Sequence, residues 1–431
     1  MSWASIANNQ TVSFNNLQDA VNNGVFILKN TIPVPSTKQV TSGEAEYYVS
    51  IIPTGKPATQ IVVKSNLVSL TTSTTTTIFN PPYAPVGTST PFTTVAVSRT
   101  TGQYQVAGNS NFNSNPWLQG FVFVSDDYGV NWYKTALFGY WQKVATSDNG
   151  QYMLAVEYYG KAYRSSNYGA TWTQITNFPY PATYNPGLSA LQTLNFRGAA
   201  LSDNGLFQVI CTSEDFYGSA GFGPFDYYYN TIFVSSDYGV NWVANAYEEN
   251  QDGVYNAVAI SASGQIVLAA KGRTVFGMGS VVRSTNYGVN WSQVSPEVSG
   301  NLVDIAILAD GSQAIAARYS NDYYPYLLAS TNSGATWSNV TGGGIAAQEQ
   351  WTDVVINTIG GVKGFAISST NSVNKYIQQV LSLTSVSQLT SSGSKKWRSL
   401  ANSNSGQYLL GATTVGLFKS SSSGTNWSQV P

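Results

Sequence analysis

The sequence predicts an all-β protein: a seven-bladed β-propeller of four-stranded antiparallel blades, preceded by a small N-terminal α+β or irregular module. Three observations predict this fold. An octapeptide recurs six times, a strand–turn–strand phrase recurs upstream of it, and Ser, Thr, Asn, Gly and Tyr replace most charged residues. Repetition at roughly 40–60 residues per unit is typical of propellers and solenoids, because one unit cannot bury its own apolar face.

The octapeptide reads hydroxyl residue, any residue, Asp or Asn, any residue, Gly, any residue, Asn or Thr, and Trp. Its copies occupy residues 125–132, 165–172, 235–242, 284–291, 330–337 and 420–427. Alternating apolar runs flank the copies, so each predicts a strand–turn–strand hairpin. We expect the Asp or Asn to accept backbone N–H bonds and the Gly to take a positive φ. The Trp is expected to pack between neighbouring sheets, with its indole N–H bonded to a carbonyl.

This pattern resembles the Asp-box, or BNR repeat, of sialidase-like β-propellers, and the wider repeat covers about residues 93–431. The resemblance implies that the copies are structural hairpins, remote from a catalytic face. Ser422 replaces the acidic residue in the last copy and is expected to make weaker turn bonds. The positions expected to hold the hairpins are Asp127, Trp132, Asn167, Trp172, Asp237, Trp242, Asn286, Trp291, Asn332, Trp337 and Trp427.

The blade count follows from the strand–turn–strand phrase, whose starts are Thr93, Gln142, Arg197, Asn256, Val303, Thr352 and Arg398. Seven starts at spacings of roughly 45–59 residues fit seven blades better than six. The sixth unit lacks a clean octapeptide, and residues 391–397 are predicted to be a degraded copy that ends at Trp397. All four strands of the last blade can be assigned within residues 398–431, so no strand is expected to be exchanged between the chain ends. A segment near residues 66–80 could still add to a sheet edge, since exposed edges are usually covered.

Residues 1–70 do not repeat and are predicted to form an attachment or docking module. A short helix is expected near residues 17–21, between Asn16 and Gly24. Thr41 and Glu44 have capping-box spacing ahead of residues 45–49, and residues 60–64 predict a strand. Residues 71–92 form a Thr- and Pro-rich linker. This layout resembles phage and virus fibres or bacterial surface proteins, in which a head docks on an assembly.

Composition excludes several function classes. Only 10% of residues are charged and the net charge is −1, so no nucleic-acid partner is expected. The chain has no histidine, the commonest general base and metal ligand, so no metal or cofactor is predicted. Cys211 lies in an apolar run and predicts a core thiol. No membrane-spanning segment or signal peptide is recognisable, so no insertion into a membrane is expected. The expected location is extracellular or on a virion surface, reached without a recognisable signal peptide.

The ends of the predicted propeller differ in character. The octapeptide turns and the first-to-second-strand turns share one end, called the hairpin face; the second-to-third-strand loops and blade links share the other, called the loop face. Tyrosine-rich segments cluster on the loop face and suit sugar or protein recognition. The alternative is that these rings pack the loops, line the channel or bury an oligomer contact. The candidate ligand-binding residues are Tyr158, Tyr159, Phe216, Tyr217, Tyr227, Tyr228, Tyr323, Tyr324 and Arg273.

Three functions are weighed. The sequence favours a non-catalytic, surface- or virion-displayed protein that presents aromatic loops to a glycan or protein and assembles or oligomerises through its N-terminal module. A sialidase-like glycoside hydrolase is the first alternative, because that family uses a Tyr nucleophile and three arginines. Glu214, Asp215 and Tyr217 could supply such chemistry, although no spacing assigns catalytic residues. A purely structural assembly subunit is the second alternative. The candidate arginines are Arg99, Arg164, Arg197, Arg273, Arg283, Arg318 and Arg398. Arg164 and Arg283 directly precede octapeptides and are expected near the hairpin face. Arg197 and Arg398 open first strands and could reach the channel mouth, as could Arg273 in its loop.

Overall fold

The chain forms two compact units, Met1–Asn80 and Pro81–Pro431. The computed structural model describes residues 12–13, 45–51, 59–65, 86–87, 90–110, 119–158, 160–179, 195–212, 231–245, 254–272, 279–298, 301–319, 327–340, 351–358, 363–368, 375–382 and 385–431. Within these ranges, no helix has the length and hydropathy needed to cross a membrane.

The first unit contains a three-stranded sheet. Its strands are β1 (Val12–Ser13), β2 (Ala45–Ile51) and β3 (Thr59–Ser65), in the order β1-β3-β2. The strand predicted at residues 60–64 is confirmed as β3. The capping-box prediction at residues 45–49 is wrong, because this segment is β2. Tyr47, Tyr48 and Val49 favour an extended strand, and pairing along all of β3 outweighs a local cap spacing. The helix predicted near residues 17–21 and most of the linker lie outside the described residues.

The second unit is a seven-bladed propeller, which confirms the predicted fold. Each blade is a four-stranded antiparallel sheet with its strands in chain order. Blades 1 and 2 contain β4 (Phe92–Val97), β5 (Gln105–Asn109), β6 (Gly120–Ser125), β7 (Tyr133–Gly139), β8 (Trp141–Thr146), β9 (Met153–Glu157), β10 (Ala162–Ser165) and β11 (Thr173–Gln174). Blades 3 and 4 contain β12 (Phe196–Leu201), β13 (Gln208–Thr212), β14 (Ile232–Ser235), β15 (Val243–Asn245), β16 (Tyr255–Ile260), β17 (Val267–Lys271), β18 (Gly279–Ser284) and β19 (Ser292–Val298).

The remaining blades have the same plan. Blades 5 and 6 contain β20 (Asn301–Ile307), β21 (Ala314–Tyr319), β22 (Leu328–Ser330), β23 (Ser338–Asn339), β24 (Trp351–Asn357), β25 (Lys363–Ser368), β26 (Ile377–Ser382) and β27 (Ser385–Leu389). Blade 7 contains β28 (Trp397–Asn402), β29 (Leu409–Thr413), β30 (Gly416–Ser420) and β31 (Ser428–Gln429). The first strand of each blade, called its inner strand, contacts the inner strands of both neighbouring blades. These contacts include β28 against β4, so the ring is closed.

Ring closure needs no exchanged strand, as predicted. Blade 7 draws all four strands from the end of the chain. The two ends of the propeller also meet outside the sheets, where the Val86 N–H donates to the carbonyl oxygen of Pro431 at 2.9 Å. The blade 7–blade 1 boundary therefore depends on side-chain packing and isolated hydrogen bonds, because no shared sheet crosses it.

The octapeptides form the predicted hairpins through their own side chains. In the first copy, Asp127 Oδ1 accepts the N–H groups of Val130 and Asn131 at 3.0 and 2.8 Å, and Ser125 Oγ accepts the Gly129 N–H at 3.0 Å. Gly129 has the expected positive φ of 70°, and so does the preceding Tyr128, at 61°. The other five copies repeat this backbone and the serine bond. Each hairpin is thus specified by residues within four positions of one another.

The octapeptide tryptophans lie where blades meet. The Trp132 indole N–H donates to Gly129 of its own turn at 3.1 Å, and all six copies make this bond. Trp132 is 3% exposed and belongs to a core cluster that blade 1 shares with blade 7, including Leu410 and Leu417. Trp242 packs against Phe178 at the blade 2–blade 3 boundary, with ring centroids 5.4 Å apart. The predicted packing between sheets is confirmed at these two positions.

The degraded octapeptide predicted at residues 391–397 is wrong. Trp397 begins the inner strand of blade 7 and does not end a hairpin. Residues 383–384 alone connect β26 to β27, and a short 3-10 turn, Thr390–Ser392, follows. Trp397 occupies the same place as Trp141 and Trp351, which are fully buried at the starts of their inner strands. Tryptophan therefore serves two structural positions in this chain, and spacing from a serine-rich turn does not distinguish them.

Candidate functional site

Every inner strand carries a β-bulge at its loop-face end. The pairing of inner and second strands skips one residue in each blade. The bulged residues are Thr93, Gln142, Arg197, Asn256, Val303, Thr352 and Arg398, which coincide with the predicted blade starts. Bulges redirect side chains out of the regular alternation and are common beside functional sites. The loop-face ends of the inner strands therefore carry seven redirected side chains, six of them polar, which are together called the bulge ring.

Two members of this bulge ring join neighbouring blades. Thr93 Oγ1 donates to the carbonyl oxygen of Trp141 at 2.8 Å, and Asn256 Nδ2 donates to that of Leu302 at 2.7 Å. Their hydrogen-bonding capacity is directed to backbone of the next blade. Their role is consequently structural.

Arg197 and Arg398 give the bulge ring its charge. The guanidinium carbon of Arg197 lies 4.7 Å from the centroid of the Tyr158 ring, which is a cation–π contact. Arg398 is half-buried, and burial lowers the pKa of its guanidinium. The predicted ligand residue Tyr158 thus contacts a bulge-ring arginine that opens the inner strand of the next blade.

The other predicted ligand residues lie outside the described residues and stay predictions. They are Tyr159, Phe216, Tyr217, Tyr227, Tyr228, Tyr323, Tyr324 and Arg273. The same holds for Glu214 and Asp215. Arg283 lies on the hairpin face as expected, because its Nε donates to the carbonyl oxygen of Ser333 in the octapeptide of blade 5 at 2.7 Å.

Glu157 directly precedes Tyr158 and provides a carboxyl group beside it. It ends β9, is 3% exposed, and has its pKa raised by burial. A buried carboxyl with a raised pKa suits a general acid. However, this carboxyl packs against the blade 1–blade 2 link, where a Cβ on Gly139 would lie 2.5 Å from its carboxyl carbon. Glu157 is therefore directed at the protein backbone.

The channel holds a cavity of about 190 Å³ lined by the inner strands of all seven blades. Lys143 Nζ lies 3.8 Å from Asp304 Oδ1 in this cavity, and Asp353 lies beside them. These two carboxylates connect blades: Asp304 Oδ2 accepts the Val354 N–H at 2.9 Å, and Asp353 Oδ2 accepts the Leu400 N–H at 3.3 Å.

The equivalent residue of blade 1 shows that these bonds are structural. Thr94 Oγ1 accepts the Val144 N–H of blade 2 at 3.0 Å, in the same position and direction. An uncharged hydroxyl thus does in blade 1 what a carboxylate does in blades 5 and 6. The carboxylates of Asp304 and Asp353 serve the blade boundaries.

Replacing Asp353 with asparagine is expected to stabilise the propeller at neutral pH by about 1–3 kcal/mol. Burial, reinforced by the Asp304 carboxylate, raises the pKa of Asp353 well above its ordinary 3.8. The folded state therefore holds this proton more tightly than the unfolded chain. The resulting contribution to stability is complete below pH 3.8 and is lost as the pH rises through the raised pKa. Urea unfolding between pH 4 and 8 should show a difference between variant and parent that grows with pH.

Asp353→Ala is the control, because it removes the charge together with the acceptor of the Leu400 N–H. It should be less stable than Asp353→Asn by about 1–3 kcal/mol at every pH, because only the alanine variant leaves that N–H without its acceptor. An Asp353→Asn variant less stable than the parent at pH 8 would contradict the conclusion that the Asp353 charge destabilises the folded propeller.

The hairpin-face end of the channel is closed by Arg99. Its Nη1 lies 2.9 Å from Asp203 Oδ1, and its Nη2 donates to the carbonyl oxygen of Ile260 at 2.9 Å. The side chain thus reaches from blade 1 to blades 3 and 4. Backbone bonds between blades surround it, such as the Asp148 N–H to the Asp203 oxygen at 2.9 Å. Arg99 does not join Arg197 and Arg398, which open their inner strands at the opposite end.

The lone cysteine is a core residue, as predicted. Cys211 is fully buried, and burial raises the pKa of its thiol to about 12. It is therefore protonated at neutral pH and is not a nucleophile.

The structure contains a surface on the hairpin face that was not predicted from the sequence. The octapeptide tyrosines Tyr128, Tyr168, Tyr238 and Tyr287 each contact an aromatic ring in the first hairpin of the preceding blade. The pairs and centroid distances are Tyr128–Tyr408 at 4.8 Å, Tyr168–Tyr104 at 5.8 Å, Tyr238–Tyr152 at 4.6 Å and Tyr287–Phe207 at 4.6 Å. These eight rings are called the aromatic arc. The repeated Tyr before the octapeptide Gly was the signal that could have revealed it.

The fold defines the class of protein as a seven-bladed β-propeller. At the sequence level the chain is similar to the xyloglucanase Xgh74A of Acetivibrio thermocellus, with 26% identity over 271 residues, or 55% of this chain. The chain spans only 30% of that relative's length. No family model matches the chain, so the Asp-box resemblance stays a prediction.

Solved structures share the propeller fold. The GH74 xyloglucanase from Xanthomonas campestris is 13% identical and has a TM-score of 0.53, over 80% of this chain and 55% of that chain. YCF48 from Cyanidioschyzon merolae is 12% identical and has a TM-score of 0.52, over 78% of this chain and 98% of that chain. At these identities the likeness is one of fold.

Proposed function

We propose that this protein is a non-catalytic, glycan-binding propeller that takes its ligand on the loop face. The observation that carries the proposal is the contact between Arg197 of the bulge ring and Tyr158, at the loop-face end of an inner strand. A tyrosine ring can stack on the apolar face of a sugar, and a guanidinium donates to sugar hydroxyls. The likeness to xyloglucanases supports a polysaccharide as the ligand class.

The carboxylates favour binding over hydrolysis. A glycosidase normally presents two carboxyl groups to its substrate, about 5–5.5 or 6.5–9.5 Å apart. Among the described residues, the channel carboxylates Asp304 and Asp353 accept backbone N–H groups of neighbouring blades, and Glu157 packs against the Gly139 backbone. The described residues therefore include no pair of carboxyl groups that would face a bound sugar.

A glycoside hydrolase is the second candidate, and the sequence similarity to Xgh74A favours it. Its catalytic carboxylates would come from loop residues such as Glu214 and Asp215. Release of reducing ends from xyloglucan, lost in a Glu214→Gln or Asp215→Asn variant, would replace the binding proposal.

Display and attachment complete the proposal. The protein would act outside the cell or on a virion, with the first unit docking on a larger assembly. The non-repeating sequence of residues 1–70 supports this arrangement. Immunogold labelling that finds the full chain only in the cytoplasm would contradict it.

Binding to xyloglucan oligosaccharides tests the loop-face site. We expect Arg197→Ala and Tyr158→Ala each to weaken the affinity measured by calorimetry about tenfold, or about 1.4 kcal/mol. Gln174→Ala is the control, because Gln174 is exposed on the last strand of blade 2. Wild-type protein that is folded but binds no neutral glycan would refute the proposal, as would an Arg197→Ala variant with unchanged affinity.

A further inference from the structure

We propose that the aromatic arc is a second carbohydrate-binding surface, on the hairpin face, which takes an uncharged polysaccharide chain. The choice of polysaccharide rests on the proposed function, whereas the existence of a binding surface rests on the geometry below. The arc lies at the end of the propeller opposite to the bulge ring. A polysaccharide on the arc and a ligand on the loop face would therefore bind separately.

The octapeptide tyrosines are not needed for the hairpins. Blades 5 and 7 carry Ser333 and Ser423 at the same position, with φ values of 58° and 53°. Their hairpins keep the serine–glycine and tryptophan–glycine bonds of the other copies. A bulky side chain is an unfavourable choice at positive φ. Four tyrosines at this position therefore call for a reason other than turn formation.

Blade packing accounts for only one ring of each pair. The first-hairpin ring of a pair is covered on its far side: a Cβ on Gly150, which has a φ of 73°, would lie 2.2 Å from Cγ of Tyr104. The octapeptide ring is the outer one. Tyr128, Tyr238 and Tyr287 remain 40%, 38% and 40% exposed.

Each of these exposed tyrosines has an exposed valine two residues later. Val130, Val240 and Val289 are 57%, 46% and 63% exposed. The Tyr and Val side chains together give blades 1, 3 and 4 a patch of apolar surface at the turn. Exposed apolar surface that repeats in this way is typical of an interaction site.

The arc is continuous. The Tyr128 N–H donates to the Gln103 oxygen, next to Tyr104, and the Tyr168 N–H donates to the Gln151 oxygen, next to Tyr152. Ring contacts between blades thus alternate with backbone bonds within blades, from blade 7 through blade 4. A surface that repeats its rings from blade to blade suits a partner that repeats its own unit, as a polysaccharide does.

The charges beside the arc select an uncharged chain. Asp126 and Asp127 lie in the first octapeptide turn, and Asp148 lies in the first hairpin of blade 2. Two cations of the hairpin face, Lys419 and Arg283, donate to turn backbone: Lys419 Nζ to the Gly129 oxygen and Arg283 Nε to the Ser333 oxygen, both at 2.7 Å. Carboxylates at the surface repel polyanions such as nucleic acids or acidic glycans. Sugar hydroxyls, by contrast, can bond to the exposed Asn241 and Asn290 side chains of the octapeptides.

The first test replaces the four octapeptide tyrosines with serine, which blades 5 and 7 carry at the same position. The variant Tyr128→Ser, Tyr168→Ser, Tyr238→Ser and Tyr287→Ser is compared with the parent by affinity electrophoresis in gels containing xyloglucan or hydroxyethyl cellulose. We expect the dissociation constant for the polymer to rise at least tenfold, while the affinity for short oligosaccharides, held by the loop face, is unchanged. Polymer binding equal to that of the parent would overturn the inference.

A second variant tests whether the loss of binding could come from disturbed packing between blades. Val130→Asp, Val240→Asp and Val289→Asp change exposed side chains only, and we expect the same loss of polymer binding at an unchanged melting temperature. Arg197→Ala separates the two proposals. Polymer binding that survives Arg197→Ala but not the serine variant supports the arc, whereas oligosaccharide binding that survives Arg197→Ala refutes the loop-face site. Polymer binding that is lost in Arg197→Ala but not in the serine variant refutes the arc alone.

Discussion

Trp132→Ala is expected to lower the free energy of unfolding by about 3–5 kcal/mol. The indole is 3% exposed and belongs to the cluster that joins blade 1 to blade 7. Because no strand is exchanged across that boundary, packing and isolated hydrogen bonds must hold the ring closed there. Removing the ring leaves a cavity, and the Gly129 oxygen loses the indole N–H and keeps Lys419 Nζ as a donor. Urea unfolding followed by circular dichroism measures the loss.

Trp172→Ala is the matched control. Trp172 occupies the same octapeptide position and makes the same bond to its Gly, at 2.9 Å, but it is only partly buried. We expect it to lose less than half as much stability. Equal losses at the two positions would show that the turn bond, and not packing at the closing boundary, makes the tryptophan important.

Arg99→Ala is expected to cost about 2–4 kcal/mol of unfolding free energy, since breaking a mostly buried ion pair leaves its partner charge uncompensated. The Arg99 side chain is 22% exposed, and its loss would leave Asp203 without its cation and the Ile260 oxygen without a donor. Burial already raises the pKa of Asp203, and Arg99 opposes that shift. The variant should therefore also titrate Asp203 at a higher pH, which carboxyl NMR shifts would detect.

Arg99→Lys distinguishes charge from geometry. Lysine keeps the charge but lacks the planar fork that reaches both Asp203 and Ile260. We expect it to recover part of the lost stability and most of the Asp203 titration shift. An Arg99→Ala variant within 0.5 kcal/mol of the parent, roughly the scatter of surface substitutions, would show that the channel closure depends on the backbone bonds between blades.

The hairpins were predictable because their chemistry is local. Asp127, Ser125 and Gly129 bond within four residues of one another, so one octapeptide contains both the turn and its reason. The errors arose where a residue type serves two purposes. Trp397 followed a serine-rich segment like a hairpin tryptophan, although it starts an inner strand, and Glu44 followed Thr41 at capping spacing, although the next segment pairs with β3.

The candidate sites were less predictable than the fold. Arg197 and Arg398 were expected near the channel because they open inner strands, and the structure places both in bulges at the loop-face ends of those strands. Nothing in the sequence indicates that Arg99 crosses the channel to Ile260, 161 residues away. The aromatic arc was missed for the same reason, since Tyr128 meets Tyr408 only after the ring has closed.

The amino-acid sequence by itself determined the number of blades and the structure of each octapeptide turn, because both follow from spacing and from bonds between near neighbours. Tertiary structure alone decided which charges meet in the channel, which end of it is closed and which tyrosines form a continuous surface. Those contacts join different blades, and their partners are set by the angle at which seven sheets pack around one axis. No local pattern in the chain encodes that angle.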